Sequence, residues 1–596
     1  MHILGFDCYG HDSAAAIVRD GQLLGLVEEE RFVQKKHVAD FPVHAIRWCC
    51  EVAGIEPRDL DHIVYYWDPK LARLQRLGHL LRYFPRSLGL LHSRGDKEVA
   101  MMRIAQTLRD TFALGDRTNL HFAPHHLCHA ASSYLTSPFD EAAILTIDAA
   151  GEWDCTWMGV GRGVDLQCLK TQQFPNSLGL VYGAVTEFLG FKFASGEGKV
   201  MGLAAYGDSQ RYIEAFRDVI KTKPDGGYAV DLSYFAYHYR GRPHWFSDNF
   251  YRVFGEPRPR EDGEISDRHR DIAAALQLRT EEIGLHLARW LHQTTGLKKI
   301  CLAGGVCLNS VMNGRILLET DFDDVVVQPA ANDAGTALGA CYWLWNVVLR
   351  QPRSYVFEHA YVGPWMTRAR CQAAIARMVG EDDEVDLLPD VDVPRLAAEM
   401  LAEGKIIGWF QDRMEMGPRA LGNRSILADP RSEDMKDLLN SRVKFRESFR
   451  PFAPSVLEEK SGEWFETDHP SPYMILVYGV RPDKRPLVPA ITHVDGSGRV
   501  QTVRRAHNPK FYRLIEHFER LTGVPMVLNT SFNIRGQPIV HLPEQAIECF
   551  LTTGMDALFL EDFVLVKRTE SAAVGLTDDE LRHRHAVAAA ADNAWT

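Results

Sequence analysis

The first hydrophobic positions of the chain predict three short strands in succession. An apolar run from Ile3 ends at Asp7, a second covers Ala14–Arg19, and a third covers 23–27. The last two are separated by the pair Asp20–Gly21. An Asp-Gly pair between two apolar runs is a strong hairpin signal.

The same order returns in the middle of the first half of the chain. An apolar run from 142 ends at Asp148, and two more apolar runs follow at 156–160 and 164–169. An apolar strand that ends in Asp is by itself common in α/β proteins. Because both copies continue with two further strands, the pattern favours an internally duplicated α/β domain with its active cleft between the halves.

The remaining pattern divides the chain into two domains. Helical periodicity is predicted at 43–53, 98–112, 177–191 and 271–295, and 194–207 is predicted as a loop that enters a helix. Residues 208–268 have weak periodicity and are interpreted as a peripheral insertion that could shape an acceptor pocket.

Prolines without a sustained period mark 350–395 as the interdomain region. A second domain is predicted from a helix at 394–403 and a strand at 405–410 to a closing strand at 557–566. We therefore expect domains at 1–355 and 356–570, followed by a tail at 571–596 that is a terminal helix or disordered.

Length, charge and cysteine usage narrow the class of protein. A chain of 596 residues is too long for one hydrophobic core, and its net charge of −12 without a basic run argues against a nucleic-acid partner. The 11 cysteines form no CxxC pair and the chain opens on a strand, so we expect a reducing cytoplasm. No apolar run reaches the ~20 residues of a membrane span, so no membrane partner is expected.

The stretch HHLCHAASSY places His125 and His129 four residues apart, on one face of a helix. Two imidazoles at this spacing can share a divalent metal, although such a pair alone also occurs on helix surfaces. Asp148 ends the next strand, from which its carboxylate could reach the same ion. A mixed nitrogen and oxygen set suits Fe, Mn or Zn.

Two glycine-rich turns could face a nucleotide. AGGVCLN (303–309) would expose backbone N–H groups at a helix start, and NDAGTALGA places Asp333 just before a second helix start. The first turn could instead be glycine packing between a strand and a helix. Asp333 is placed to complete a metal or a nucleotide site.

The second domain carries cations among Gly, Pro and Phe rather than on an amphipathic helix. Arg419, Lys444 and Arg450 lie in GPRALGNRSILADPR and KFRESFRPFAPS, and NTSFNIRGQP adds polar amides and hydroxyls. Cations in apolar turns usually hold an anion. The alternative is a solvated face of mixed charge, because acidic residues are also frequent there.

Together these motifs, with GHDSAAAIV, EEERFVQKKH, GEGKVMGLAAYG and HVDGSGRVQTV, resemble the NodU/CmcH family of O-carbamoyltransferases over nearly the whole chain. The resemblance implies an α/β fold in two parts. The first is a duplicated actin-like (ASKHA, ribonuclease H-like) domain, akin to the metal-binding subunit of threonylcarbamoyl-tRNA synthesis, and the second is a YrdC-like domain. The second domain would make carbamoyladenylate from carbamoyl phosphate and ATP, and the first would move the carbamoyl group to a hydroxyl.

The resemblance also implies roles for individual residues. His11 matches the histidine beside the transferred group, and it is expected to be catalytic together with Arg419, Lys444 and Arg450. The metal ligands would be His125, His129, Asp148 and Asp333. The nucleotide-facing positions would be Lys199, Gly304, Gly305, Asn309 and Asp333. The carbamoyl phosphate and ATP site would hold Arg419, Lys444, Arg450, Arg499, Asn529 and Ser531.

The expected cofactor is a divalent transition metal, Fe²⁺ before Mn²⁺ or Zn²⁺, with ATP and Mg²⁺ as substrate. The expected partners are carbamoyl phosphate, ATP and a small-molecule hydroxyl acceptor of natural-product tailoring, in a cytoplasmic enzyme that could be a homodimer. A tRNA-modifying threonylcarbamoyl-type transferase is the alternative, disfavoured by the acidic chain. An actin-like ATPase without group transfer would not need the second domain's cations.

Overall fold

The computed structural model describes residues 1–568 except 242, 260–262, 381–382 and 390. Two compact units are formed. The first comprises Met1–Glu29 and His37–Phe357, and the second comprises Glu30–Lys36 and the chain from Glu358 onward. The predicted tail at 571–596 lies outside the described residues.

The strands of the first unit form two sheets of five strands and one small hairpin. Their bounds are β1 His2–Asp7, β2 Ala14–Arg19, β3 Gln22–Glu28, β4 His62–Tyr65, β5 Asn119–Phe122, β6 Glu141–Ile147, β7 Asp154–Arg162, β8 Asp165–Gln173, β9 Ile220–Thr222, β10 Tyr228–Val230, β11 Lys299–Ala303 and β12 Asp324–Val327.

The two five-stranded sheets share one topology. The first has the order β3-β2-β1-β4-β5 and the second, from the corresponding edge, β8-β7-β6-β11-β12. In each sheet three antiparallel strands are followed by two parallel ones. The duplication inferred from the two Asp-ending strands is therefore present, and this unit has the actin-like α/β fold.

The first hairpin forms as the Asp-Gly signal predicts. Asp20 and Gly21 both have positive φ, 50° and 82°, as a two-residue turn between right-twisted strands requires. β1 is buried from Ile3 to Asp7, and β6 from Ala142 to Ile147. These two strands form the centres of the two sheets.

Helices cover the sheets and connect the strands. Their bounds are α1 Glu30–Val33, α2 Val43–Ala53, α3 Arg73–Arg82, α4 Leu88–Met102, α5 Ile104–Thr111, α6 His125–Tyr134, α7 Leu178–Phe188, α8 Glu197–Ala204, α9 Ile213–Val219, α10 Tyr237–Arg240, α11 Asp248–Phe254, α12 Asp267–Thr295, α13 Ser310–Glu319, α14 Ala334–Tyr342, α15 Arg368–Met378, α16 Val393–Ala402, α17 Met435–Leu439, α18 Ser461–Trp464, α19 Pro509–Thr522 and α20 Pro543–Leu551.

The second unit is built on one mixed sheet of nine strands, in the order β13-β21-β20-β14-β15-β19-β16-β18-β17. Its strands are β13 Val385–Leu388, β14 Ile407–Phe410, β15 Arg424–Ala428, β16 Ala453–Leu457, β17 Leu476–Gly479, β18 Ser497–Val503, β19 Met526–Ser531, β20 Ala557–Leu560 and β21 Phe563–Lys567. This is the YrdC-like α/β unit of the expected fold class.

Four segments differ from the sequence-based expectation. The predicted closing strand at 557–566 is two antiparallel strands, β20 and β21. The 208–268 region, interpreted as a peripheral insertion, holds α9, the β9–β10 hairpin, α10 and α11, and the predicted 98–112 helix is split at Arg103 between α4 and α5. The interdomain region contains α15 and β13, which belong to the second unit. Short elements with few apolar repeats give weak periodicity, which explains why the pattern missed them.

Residues 30–36 also belong to the second unit, although they lie within the first unit's sequence. Arg31 Nη2 donates to the carbonyl oxygen of Gly417 at 3.0 Å, and the ring of Phe32 lies 5.3 Å from that of His541. No helix among the described residues combines the length and apolarity needed to cross a bilayer.

Candidate functional site

The four predicted metal-ligand side chains converge in the first unit. His125 Nε2 lies 2.9 Å from Asp148 Oδ2, and His129 Nε2 lies 3.5 Å from the same oxygen. Asp333 Oδ1 lies 3.8 Å and 3.9 Å from the two imidazole nitrogens. One ligand atom from each residue falls within 4.8 Å of the others, so a single ion could contact all four.

The packing of α6 against α14 brings these residues together. His125 and His129 lie one helical turn apart on α6, and Asp333 immediately precedes α14. A Cβ added to Gly339 on α14 would collide with the carbonyl oxygen of Cys128 on α6. The two helices therefore approach more closely than any side chain at 339 would permit, which places the histidines beside Asp333.

Burial and hydrogen bonding set the electrostatics of this cluster. Burial opposes the charged imidazole of His125, but the hydrogen bond to Asp148 and the charge of Asp333 outweigh it and raise its pKa to about 9. Burial also opposes ionisation of Asp148, yet the hydrogen bonds from both histidines hold its pKa well below the usual range. Burial and the charge of Asp148 raise the pKa of Asp333.

The donor set fits a transition-metal ion. The Nε2 atoms of His125 and His129 face each other at 3.2 Å, a separation at which only one of them can donate a proton. Two such nitrogens with two carboxylates match the mixed ligand set of Fe²⁺, Mn²⁺ or Zn²⁺. We therefore retain His125, His129, Asp148 and Asp333 as the predicted ligands of such an ion.

We expect His129→Ala to lose the bound metal. Wild-type protein purified without chelator should carry about one transition-metal ion per chain by elemental analysis, and the variant should carry almost none, because removal of one ligand of four strongly weakens the site. His121→Ala, a change in β5 outside the cluster, is the control and should keep the wild-type content. Wild-type metal content in His129→Ala would contradict the assignment.

His11 lies beside this cluster and is held by Asp12. The His11 backbone N–H donates to Asp333 Oδ2 at 3.3 Å, and His11 Nδ1 is 2.8 Å from Asp12 Oδ2. Asp12 Oδ1 is in turn 3.0 Å from His37 Nδ1, and Asn332 Nδ2 donates to Asp12 Oδ2 at 2.5 Å. Burial opposes the charged His11 ring, but the charge and hydrogen bond of Asp12 raise its pKa to about 9.

Asp7 and Asp148 occupy equivalent places in the duplicated halves but have different surroundings. Asp7 is fully buried, and neither of its carboxylate oxygens has a hydrogen-bond partner among the described residues. Burial, with the charges of Asp333 and Asp12, raises its pKa well above the usual value. The surroundings of Asp7 therefore disfavour its ionised form, whereas those of Asp148, a predicted metal ligand, favour it.

The glycine turn after β11 contacts the four predicted metal ligands directly, through Asp148. The backbone N–H of Gly305 donates to Asp148 Oδ1 at 3.2 Å. Gly304 has a φ of 91°, and a Cβ there would collide with the carbonyl oxygen of Ile147. This turn therefore positions the oxygen of Asp148 that faces away from the histidines, a contact that the sequence did not predict.

We expect Gly304→Ala to destabilise the protein strongly. Positive φ and the collision with Ile147 should together lower the free energy of unfolding by about 3 kcal/mol or more. Gly296→Ala is the matched control, since Gly296 also has positive φ, 69°, but no atom within 4 Å of its added Cβ. Its expected cost is about 1 kcal/mol. Urea denaturation measures the free energy of unfolding of both variants. Equal decreases would show that the close approach of Gly304 to Ile147 is unimportant.

Two other predicted nucleotide-facing residues, Asn309 and Lys199, contact side chains of the first unit. Asn309 Oδ1 accepts from the N–H of Met312, which caps α13, and the Asn309 amide exchanges hydrogen bonds with Gln277 at 2.9 Å and 3.0 Å. Lys199, on α8, places its ammonium 5.6 Å from the ring centre of Phe191. A nucleotide role for Lys199, Gly304, Gly305 and Asn309 stays a prediction.

The second unit contains a cluster of arginines with little counter-charge. In the described part of the chain, no carboxylate lies within ion-pair distance of Arg419, Arg446 or Arg499, and Arg450 Nη1 is 3.7 Å from Glu447. Arg419 Nε, Arg446 Nη2 and Arg499 Nε are buried without a hydrogen-bond partner among the described residues. Arg446 Nε does donate to Asn440 Oδ1, at 2.9 Å. The remaining guanidinium N–H groups of these arginines would suit a strongly charged anion.

Mutual repulsion appears in the pKa values of these guanidinium groups. Burial and the charge of Arg450 lower the pKa of Arg419 to about 10 and that of Arg446 to about 9. Burial and the charges of Arg419, Arg446 and Arg450 lower that of Arg499 well below its usual range. An anion bound here would relieve this repulsion.

Lys444, Ser531 and Asn529 take part in hydrogen bonds within the second unit. Lys444 is 3 % exposed, and its ammonium donates to the carbonyl oxygen of Ser531 and to Asn533 Oδ1 at 3.0 Å. Burial and the charge of Arg446 hold its pKa well below the usual value. Asn529 Nδ2 donates to Ser455 Oγ at 2.9 Å, while its Oδ1 has no partner among the described residues. These are the predicted residues, and their substrate contacts stay predictions.

Sequence reasoning missed Arg446 and His493 in this site. Arg446 stands between Lys444 and Arg450 in the quoted motif, and its guanidinium lies 4.5 Å from the ring centre of Phe452. His493 begins the motif HVDGSGR, and burial with the charge of Arg499 lowers its pKa to about 4. Both residues lie in motifs that the sequence analysis quoted. The motifs do not show which of their side chains point towards the other cations.

Comparison with known proteins assigns both units. The model for the carbamoyltransferase N-terminus matches residues 2–342 and that for the carbamoyltransferase C-terminus matches 398–567. The chain is 42% identical to the uncharacterized protein sll1178 of Synechocystis, over 96% of this chain and 97% of that protein.

It is also 39% identical to nodulation protein NolNO of Sinorhizobium fredii, over 94% and 80%. Nodulation protein U of Rhizobium fredii is 29% identical, over 90% of each chain. Among solved structures, HypF of T. kodakarensis is 12% identical over 59% of this chain and 48% of that one, with a TM-score of 0.31. The two family matches and the NolNO and NodU relatives show that the chain is an enzyme of the carbamoyltransferase family.

Proposed function

We propose that this enzyme is an ATP-dependent O-carbamoyltransferase that works in two steps. The second unit forms carbamoyladenylate from carbamoyl phosphate and ATP. The first unit transfers the carbamoyl group to a hydroxyl of a small-molecule natural product. The observation that carries this proposal is the arginine cluster of the second unit, because carbamoyl transfer alone would not require so many unpaired cations near one another.

The cation cluster suits the first step. One carbamoyl phosphate, one ATP and one water yield carbamoyladenylate, phosphate and pyrophosphate, so several anionic groups must be held together. Arg419, Arg446, Arg450 and Arg499 offer guanidinium groups that can each form paired hydrogen bonds with phosphate oxygens. Their charge would also offset the charge that develops on the leaving phosphates.

The first unit suits the second step. The acceptor oxygen would attack the carbamoyl carbon, and AMP would leave with the electron pair of the broken bond. His11, whose pKa of about 9 makes the imidazolium its main form at neutral pH, would accept the hydroxyl proton in its neutral form, so transfer should become faster as the pH rises towards 9. Asp12 would hold the imidazole in one orientation through the 2.8 Å hydrogen bond. A metal bound by His125, His129, Asp148 and Asp333 would act as a Lewis acid that polarises the carbonyl oxygen of the carbamoyl group.

The acceptor is proposed to be small rather than a nucleic acid. The chain carries a net charge of −12, whereas tRNA-binding proteins present a basic face to the phosphate backbone. The structured 208–268 segment in the first unit supplies surface that could select among acceptors. The family assignment itself does not depend on the acceptor.

The decisive measurement is carbamoyl phosphate-dependent release of pyrophosphate from ATP, followed by mass spectrometry of candidate acceptors. We expect pyrophosphate and AMP only when carbamoyl phosphate is present, and one added carbamoyl group on an accepted hydroxyl compound. ATP hydrolysis that is indifferent to carbamoyl phosphate would contradict the proposal. Transfer of the carbamoyl group without ATP would contradict the adenylate step.

A further inference from the structure

Helix α3 turns its apolar side chains outward. Leu74 is 82 % exposed, Leu77 53 % and Leu81 67 %. These positions are three and four residues apart, so the three leucines form one stripe along the helix. Phe84 and Leu88, 67 % and 53 % exposed, follow it along the chain. A run of exposed apolar side chains marks an interaction surface.

The opposite face of α3 is half-buried against the rest of the first unit, and it carries Arg76 and His79 beside Leu80. The ring of His79 lies 5.6 Å from that of Trp153 and 5.2 Å from that of Phe174, and its Nε2 is 2.5 Å from the carbonyl oxygen of His238. Arg76 Nη1 lies 3.7 Å from Glu98 Oε1 on α4. This arrangement inverts the usual surface helix, in which the apolar face is buried.

The stripe is bordered by positive charge. Residues 69–90 contain no Asp or Glu, although the whole chain has a net charge of −12. At 3.6 residues per turn, the exposed Arg73 and Arg82 lie on the two sides of the leucine stripe. The exposed Lys70 and Arg86 extend the positive charge before and after the helix. Leucines between flanking arginines are typical of helices that lie in a bilayer interface.

We propose that α3, with Phe84 and Leu88, binds the surface of an anionic lipid bilayer. The leucines would enter the boundary between headgroups and acyl chains, and Arg73 and Arg82 would extend to lipid phosphates on either side. A symmetric contact between two copies fits less well, because it would place the same arginines against one another. An interfacial helix needs no spanning segment, so the absence of a long apolar run did not test for it.

The exposed stripe of α3 is linked to the predicted metal site by hydrogen bonds within the first unit. The N–H of Asp68, just before α3, donates to Glu152 Oε1 at 2.8 Å, and the N–H of His125 donates to the same oxygen at 3.1 Å. A membrane-bound α3 would therefore hold the candidate transfer site near the lipid surface. The binding proposal itself does not depend on the transfer reaction.

Co-sedimentation of the full chain with vesicles tests the proposal. With equal parts of phosphatidylcholine and phosphatidylglycerol we expect at least about tenfold stronger partitioning than with phosphatidylcholine alone, falling as salt rises. The combined change Leu74→Glu, Leu77→Glu and Leu81→Glu should weaken binding at least about 100-fold, since each buried leucine contributes about tenfold. Arg73→Gln with Arg82→Gln should weaken it and flatten the salt dependence.

Leu318→Glu is the matched control, because Leu318 is 50 % exposed on α13 of the same unit. It should bind like wild type. Because the changed leucines are exposed, thermal midpoints should match, and slower hydrogen exchange over 71–88 on vesicle addition provides a second measurement. Wild-type protein that stays in the supernatant, or a triple variant that binds normally, would overturn the proposal. A lipid-free dimer abolished by the triple change would assign the surface to a second copy and would also overturn it.

Discussion

Arg499→Met is expected to abolish carbamoyl phosphate-dependent pyrophosphate release while leaving the second unit more stable. Arg499 lies among Arg419, Arg446 and Arg450, whose charges with burial hold its pKa well below the usual range. Loss of one preorganised cation from an anion site lowers the rate about 100-fold or more. Methionine keeps the apolar stem and removes a repelled charge, so the thermal midpoint should rise.

A ligand-binding measurement separates this effect from misfolding. Pyrophosphate should raise the thermal midpoint of wild-type protein, because it binds only the folded state, and should have little effect on Arg499→Met. Arg520→Met is the control, since Arg520 is exposed and pairs with Glu516 across one helical turn of α19, at 3.1 Å. A variant that keeps pyrophosphate release within tenfold of wild type would exclude Arg499 from the site.

His11→Asn is expected to stop carbamoyl transfer while pyrophosphate release continues. His11 belongs to the first unit, beside Asp333 and bonded to Asp12, whereas the cation cluster belongs to the second. Removal of a general base lowers the rate of the proton-transfer step by about 100-fold or more. Carbamoylated product should therefore fall by that factor, and pyrophosphate release without acceptor should stay near the wild-type rate.

The control for this change is His44→Asn. His44 Nδ1 is 2.6 Å from the buried Glu29, so it has the same kind of imidazole–carboxylate pair outside the metal cluster. Normal transfer in His44→Asn and lost transfer in His11→Asn would support the proposed role. If His11→Asn and Arg499→Met lose the same half-reaction, the division of labour between the units is wrong.

Local pattern determined much of the secondary structure and the chemistry of single motifs. Apolar alternation and the Asp20–Gly21 turn defined the first hairpin, and 43–53 was predicted with the bounds that α2 has. The spacing of His125 and His129 fixed their common helix face, because helix geometry is a short-range property. The order of three apolar runs, repeated once, was enough to predict the duplicated sheets.

Contacts between distant residues were decided only by the tertiary structure. Packing of α14 on α6 brings Asp333 to the two histidines, and the turn at Gly305 places an N–H on Asp148. The family resemblance predicted that Asn309 faces a nucleotide, and the structure adds that its side chain caps α13. The hydrogen-bond partner of each polar group depends on long-range packing. It cannot be predicted from the spacing of residues in the sequence.

The same limit applies to faces and to whole segments. An apolar stripe such as that of α3 has the same spacing whether it points into the core or outward. The contacts of His79 with Trp153 and of Arg76 with Glu98 show that the other face lies inside. The short segment 30–36 belongs to the second unit although its neighbours in sequence belong to the first. Burial and partner choice depend on the free energy of the whole fold, so they are fixed only when distant parts of the chain pack together.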